Sequence, residues 1–249
     1  MSPKKIQKTS HTSLQESAYT EACRQLRDFI EGQRCSASFA CGGTIPIKTP
    51  TNQEDAAAPN SISPPVTITW GDDSTMPFSG KLILPIIDDD TEKGLDALER
   101  LVNACDPATF GRGDQDVLDT RYRKADKMDT DEFLTSFHPA DFGILQNIEQ
   151  ILLPSVSSDL ENKLQFRRIR AEIYKLNVYS GPSGLFRAHA DTPRSTSQIG
   201  SLVVCFPSRF KGGNLVIRHH GREVDYDWSS ESGSAIQWTA FYSDCEHEI

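Results

Sequence analysis

One stretch, residues 171–195, constrains the fold of this chain more than any other. It reads AEIYKLNVYSGPSGLFRAHADTPRS: an apolar run, a Gly/Pro turn, and a second short run that ends in His189-Ala190-Asp191. The branched and aromatic residues of the first run are typical of a β-strand, whereas the turn must interrupt it because proline has no amide hydrogen to donate. In an extended chain, residues i and i+2 share a face. The sequence therefore predicts two strands joined by a loop, with His189 and Asp191 aimed at the same point.

An imidazole and a carboxylate that converge are two of the three ligands of a 2-His-1-carboxylate iron(II) site. An exposed His-Asp pair that binds nothing is the alternative interpretation of an isolated H-x-D. The downstream sequence favours the metal site: an apolar strand follows at 199–206, then a hairpin through 219–221 and an aromatic strand from Ala235. The last segment offers His247 as the third ligand. We do not expect His219 and His220 to bind metal, because they lie at the hairpin turn.

Three phrases, YKLNVYSGPSGLFRAHADTPRS, GSLVVCFP and AFYSDCEHE, resemble those of the iron(II)/2-oxoglutarate-dependent dioxygenases, in the prolyl 4-hydroxylase-like branch and its fungal-type group. The resemblance covers residues 170–249, and weaker matches lie upstream at 107–113 (PATFGRG) and 122–125 (YRKA). It implies an α+β fold with a double-stranded β-helix core, jelly-roll or cupin-like, and flanking helices. It also implies that His189, Asp191 and His247 are the catalytic ligands of iron(II), with 2-oxoglutarate as cosubstrate and O2 as oxidant.

The resemblance implies an oxygenase that hydroxylates a protein or small-molecule substrate and releases succinate and CO2. Tyr179 matches the tyrosine with which this branch donates a hydrogen bond to 2-oxoglutarate, and a tyrosine packed in the core is the alternative. In the family a basic residue roughly ten positions beyond the distal histidine anchors the far carboxylate. Here the chain ends at Ile249, so we expect the last strand to be missing, His247 to fray and turnover to be weak or absent. Arg187, which shares strand parity with His189, and the nearby Lys175 are candidate substitutes for this anchor, although neither occupies the family's position.

Two other interpretations remain open. The chain can be a non-catalytic relative that acts as a binding or scaffold module, or an incomplete product without a stable fold. The sequence does not name the substrate, because one fold supports many activities. The resemblance to prolyl hydroxylases therefore does not single out proline.

Composition limits the other functional classes. The net charge of −9 argues against a nucleic-acid-binding protein, which usually presents a basic face. No apolar run approaches the roughly 20 residues of a membrane helix, and the N-terminus lacks the apolar segment of a secretory signal. The six cysteines show no C-x-x-C spacing, which indicates free thiols in a reducing compartment. We expect an intracellular protein, cytoplasmic or nuclear, without nucleic-acid or membrane partners.

A length of 249 residues suits one large domain. We expect a disordered tail over 1–12 and a single dioxygenase-like domain over 13–249, with helical and sheet support at 13–165 and the motif-bearing barrel at 166–249. Apolar periodicity predicts helices near 13–33, 91–105 and 141–153. It also predicts strands within 35–47, at 66–70 and at 81–87, where Pro85 indicates a sheet edge or strand end. Residues 49–65 are expected to be a loop and 107–130 a lid, and the carboxylates of 88–90 are expected to cap the second helix rather than bind metal.

Overall fold

The computed structural model describes residues 39–48, 62–71, 80–87, 91–113, 115–153 and 168–249. Two of the three predicted helices fall in these ranges and are confirmed, as α1 (Thr91–Ala104) and α2 (Ile144–Leu152). A short 3-10 helix, Pro139–Phe142, precedes α2. The predicted tail at 1–12, the helix at 13–33, the cap at 88–90 and most of the loop at 49–65 lie outside the described residues.

Each helix buries one apolar stripe. Ala97 and Leu101 of α1 are four residues apart and therefore lie on one face, and Ile144, Ile148 and Leu152 do the same on α2. Gly143, at φ 69°, makes the turn between the 3-10 helix and α2 in a left-handed conformation that glycine adopts without strain. Among the described residues, neither helix has the length and apolar character needed to cross a membrane.

Strands dominate the described part of the chain. They form six sheets in which every ladder is antiparallel. With two helices, this gives a mostly-sheet molecule that is compatible with a β-sandwich. The strands are, in chain order, β1 Ala40–Pro46, β2 Val66–Trp70, β3 Gly80–Leu84, β4 Asp106–Pro107, β5 Phe110–Arg112, β6 Gln115–Val117, β7 Arg123–Lys124, β8 Asp126–Met128, β9 Phe133–Thr135, β10 Leu176–Val178, β11 Leu185–Phe186, β12 His189–Ala190, β13 Gly200–Cys205, β14 Leu215–His219, β15 Arg222–Tyr226, β16 Ala235–Tyr242 and β17 Glu246–Glu248.

Strand β16 forms the centre of the core. It pairs with β1 along one edge and with β13 along the other. Seven of its eight residues are buried, including the polar Gln237 and Thr239, so the strand is covered on both faces rather than alternating between core and solvent. Ile236, Trp238 and Ala240 of β16 join the cluster of buried side chains from β2, β3 and the two helices.

Apart from β2, the predicted strands are shorter in the structure than their apolar runs. Strand β2 matches its prediction, and β3 ends at Leu84, before Pro85, at the edge of the sheet β3-β2-β9. The first run of the 171–195 stretch forms only β10, and Ile173 and Tyr174 are exposed because no strand of the described part pairs with them. The region predicted as a lid is built largely from the short strands β4 to β8.

A four-stranded sheet, β12-β17-β14-β15, carries the end of the chain. In it His247 lies opposite His189 on one side and Ile217 on the other. The backbone amides of Phe186 and Ile249 each donate a hydrogen bond to the other's carbonyl, both at 3.0 Å. The expectation that His247 frays is therefore wrong: its strand is hydrogen-bonded along both edges, and its side chain is buried.

Candidate metal centre

The structure brings together all three side chains predicted as ligands. One ligand atom from each of His189, Asp191 and His247 lies within 4.8 Å of the other two. The Asp191 Oδ1 atom is 4.0 Å from His189 Nε2 and 3.9 Å from His247 Nε2. Two ligand atoms that each lie about 2.0–2.2 Å from one ion are roughly 3 Å apart when they meet it at a right angle, as on one face of the ion. The three side chains therefore converge, and an ion held on one face would draw their ligand atoms closer together.

Hydrogen bonds fix the orientation of both imidazole rings. His189 Nδ1 lies 2.8 Å from the carbonyl oxygen of Arg187, and His247 Nδ1 lies 3.4 Å from that of Cys245. When Nδ1 carries the proton and donates it to a carbonyl, Nε2 keeps a lone pair for a metal. Both Nε2 atoms are the ones that face Asp191. The backbone thus selects the tautomer that a metal ligand needs.

The carboxylate is oriented in the same way from the core sheet. Ser201, on β13, donates its hydroxyl hydrogen to Asp191 Oδ2 at 2.5 Å. The other carboxylate oxygen, Oδ1, is the one that faces the two histidines. Such outer hydrogen bonds hold a ligand in place before the metal arrives.

Aromatic rings shield the two histidines from water. The Phe186 ring stacks on His189 with centroids 3.5 Å apart, and Phe241 lies 4.7 Å from the His247 ring. Burial, followed by the repulsive field of His247, lowers the pKa of His189 to about 4. The imidazole is therefore neutral at physiological pH, which is the form that binds a metal.

Comparison with known proteins adds no assignment. No protein-family model and no curated protein matches this chain. The interpretation of the site therefore depends on its residues and their geometry.

A buried arginine lies behind the aromatic wall. Arg123, on β7, is 7% exposed, and its guanidinium carbon lies 4.4 Å above the Phe186 ring centre. Phe186 thus contacts both Arg123 and His189, and the guanidinium carbon lies no farther from the centre of the histidine ring than the sum of these two distances. The register explains this placement, because β7 pairs with β11 and sets Arg123 directly opposite Phe186.

In the described ranges of the chain, Arg123 forms no ion pair with a carboxylate. Its two terminal nitrogens donate to the Thr109 carbonyl at 2.6 Å and to Asn177 Oδ1 at 2.8 Å, and its Nε finds no acceptor. Burial of an ion without an opposite charge is costly. Sequence reasoning missed this residue, and the weak YRKA match at 122–125 was the one signal that pointed to its segment.

The two predicted cosubstrate-binding residues lie in different surroundings. Burial raises the pKa of Tyr179, and the charge and hydrogen bonding of the nearby Arg123 oppose that increase. Tyr179 therefore lies beside Arg123, and it is close enough to Asp191 to be affected by the carboxylate. Arg187 is exposed, and its Nε donates to the backbone carbonyl of Arg121 at 2.7 Å. Shared strand parity with His189 thus does not shield Arg187 from water.

A second arginine holds the strand that carries His247. Arg218 on β14 contacts Glu223 at 2.7 Å, Glu248 at 2.6 Å and Glu246 at 3.6 Å. Glu246 and Glu248 flank His247 on β17, so this cation joins three neighbouring strands beside the site. The carboxylates raise the pKa of Arg218 above its ordinary value.

Proposed function

We propose that this chain is an iron(II)- and 2-oxoglutarate-dependent dioxygenase that hydroxylates a protein or small-molecule substrate. The observation that carries the proposal is the convergence of two Nε2 atoms and one carboxylate oxygen, each oriented by a hydrogen bond at the other polar atom of its side chain. Two neutral imidazoles and one carboxylate are the ligand set of non-haem iron(II) oxygenases. The residues therefore fit the metal that the sequence resemblance implies, and the double-stranded β-helix is part of the same proposal.

His189, Asp191 and His247 would hold the ion on one face and leave the opposite positions open. When bound there, iron(II) and 2-oxoglutarate supply the oxidation: one atom of O2 enters a substrate C–H bond, the other enters succinate, and CO2 is released. The chain contributes the three ligands and an apolar wall, Phe186 and Phe241, that shields the histidines from water.

We assign to Arg123 the far carboxylate of 2-oxoglutarate. Its Nε donates no hydrogen bond in the described chain, and its side chain is buried. Arg123 and His189 both contact the ring of Phe186. A carboxylate at this position gains charge-assisted hydrogen bonds and neutralises the buried cation. Tyr179, beside the guanidinium, supplies a hydroxyl donor to the same anion. Arg187 suits this role less well, because an exposed cation is already solvated by water.

The test is an anaerobic titration of 2-oxoglutarate into the iron(II)-loaded protein, followed by the visible charge-transfer absorption of an oxo-acid bound to iron(II) through two oxygens. We expect the band in the unmodified chain. We expect it to disappear in His189→Ala, which loses a ligand, and to require much higher 2-oxoglutarate in Arg123→Gln. Arg187→Gln is the matched control and should leave the titration unchanged.

Two results would overturn parts of the proposal. Iron binding without any band would exclude 2-oxoglutarate as the cosubstrate and favour the non-catalytic binding module. A band that Arg187→Gln weakens and Arg123→Gln leaves intact would move the carboxylate anchor to the exposed arginine.

A further inference from the structure

A second group of metal-binding side chains lies next to the first. One ligand atom from each of His219, Asp244 and Cys245 lies within 4.8 Å of the other two. The His219 Nδ1 atom is 3.9 Å from Asp244 Oδ1. The group brings together one nitrogen, one oxygen and one sulfur donor, whereas the first group has no sulfur.

The strand register explains why these residues meet. In the β14–β17 ladder Ile217 lies opposite His247 and Arg218 opposite Glu246. Continued by one position, the same register sets His219 opposite Cys245, and side chains directly opposite each other in adjacent strands have Cβ atoms about 4.5–5.5 Å apart. Asp244 belongs to the turn between β16 and β17, which the hydrogen bond from the Cys245 amide to the Tyr242 carbonyl closes at 3.0 Å.

We infer that His219, Asp244 and Cys245 bind a zinc ion that is distinct from the metal of the first site. Zinc is typically bound by cysteine sulfur, histidine nitrogen and carboxylate oxygen in tetrahedral sites, and three protein ligands leave the fourth position to water. A thiolate ligand favours zinc over the hard cations magnesium and calcium. The thiol of Cys245 has only a weak contact in the described chain, donating to the Phe39 carbonyl at 3.8 Å.

The exposure of the three residues provides an entry path for the ion. Cys245 is fully buried, the His219 side chain is 21% exposed and the Asp244 side chain is 71% exposed. The ion can therefore reach the carboxylate and the imidazole from solvent before the buried sulfur binds it. A site with this gradient of exposure needs no opening of the core.

The second site is linked to the first through the backbone. Cys245 lies two residues before His247, and its carbonyl oxygen is the atom that faces His247 Nδ1. Zinc on the Cys245 side chain would hold this peptide in place and so stabilise the ring orientation of His247. The inference about zinc does not depend on the proposed function, because it holds whether or not the first site binds iron.

Cobalt(II) is the probe, because it replaces zinc and its thiolate complexes absorb strongly in the near ultraviolet. We expect the metal-free full chain to develop a thiolate-to-cobalt band that saturates at one equivalent per chain and that zinc abolishes. The band should persist in His189→Ala, which disables the first site. It should persist as well in Cys205→Ser, a control substitution at a second free cysteine, which is partly buried. Cys245→Ser should remove it.

Asp244→Asn keeps the test decisive if the buried Cys245→Ser variant fails to fold. Asp244 is largely exposed, so the substitution leaves the fold intact, and loss of a ligand should weaken cobalt binding by at least about tenfold. Absence of a thiolate band in the unmodified chain would overturn the inference. An unchanged band and affinity in Asp244→Asn, or a band that persists in a folded Cys245→Ser protein, would overturn it equally.

Discussion

The two arginines beside the candidate metal centre have opposite surroundings. Arg218 lies on a sheet surface with its side chain 33% exposed, and it contacts three carboxylates. Arg123 is 7% exposed, and no carboxylate lies within ion-pair distance of it in the described residues. One cation is thus partly solvated and paired with three carboxylates, and the other is buried and hydrogen-bonded to neutral groups.

This difference separates a charge that the fold neutralises from one that the fold holds only with neutral hydrogen bonds. An exposed ion pair costs little to form and contributes little, since water screens it. A buried guanidinium without a counter-ion carries a desolvation cost that its neutral hydrogen bonds offset only in part. The chain carries that cost beside the three converging side chains of the candidate metal centre. A ligand that brings its own negative charge would explain why the cost is tolerated there.

Arg123→Gln and Arg218→Gln should differ most in the binding of 2-oxoglutarate to the iron(II)-loaded protein. Loss of one partner of a buried charge pair costs roughly 2–5 kcal/mol, so Arg123→Gln should raise Kd by about 30-fold or more. Arg218→Gln should change Kd by less than about threefold, because screened charges act weakly over such distances. Isothermal titration under anaerobic conditions measures both. Equal losses of affinity in the two variants would mean that Arg123 and Arg218 contribute alike to the binding of 2-oxoglutarate.

Acid should destabilise the metal-free protein through His189. Its pKa in the folded chain, about 4, is below the ordinary value of 6.5, so the unfolded chain binds the proton more readily. The contribution of His189 to the free energy of unfolding is therefore fully present above pH 6.5, decreases between pH 6.5 and about 4, and levels off at lower pH. The loss should be on the order of 2 kcal/mol. Urea unfolding at several pH values, compared with His189→Gln, isolates this contribution, and identical pH profiles would contradict it.

Arg218→Gln should lower the free energy of unfolding slightly, because it leaves the carboxylates of Glu223, Glu246 and Glu248 without their cation. The difference should shrink in high salt, which screens both the lost attraction and the new repulsion. Chemical denaturation at low and high salt measures the effect. Arg100→Gln, at an exposed pair with Asp96 on α1, is the control and should cost less. A larger cost for Arg100→Gln would show that the Arg218 network does not hold β17.

The sequence predicted the three converging ligands, both described helices and the strand β2. The convergence of His189 and Asp191 could be predicted because their spacing alone places them on one face of a strand. The frayed His247 was a wrong expectation, since the hydrogen bonds that hold β17 come from β12 and β14, and the order of strands in the sheet is not visible in local sequence.

Arg123 and the second ligand group were not predicted for a related reason. Arg123 lies in a polar segment whose strand has two residues, and its burial follows from pairing with a strand distant in sequence. His219 was set aside as a turn residue, because its position opposite Cys245 depends on the register of β17. Local sequence patterns thus identify side chains that lie close together in the chain. Residues that meet only through the pairing of distant strands can be identified only once the fold is known.

The smallest expected effect is on the pKa of His189, and it isolates the electrostatic field of Arg123 at that ring. Burial and His247 are the main causes of the low pKa of His189, and the charge of Arg123 is a weaker contribution in the same direction. Arg123→Gln should therefore raise the pKa of His189 slightly in the metal-free protein. Arg218→Gln should leave it unchanged, since its charge is compensated by three carboxylates. Titration of the His189 ring proton by NMR measures both shifts. A shift of the same size in both variants would mean that the compensated surface charge reaches the site as strongly as the buried one, and the two arginines would then differ in location but not in electrostatic role.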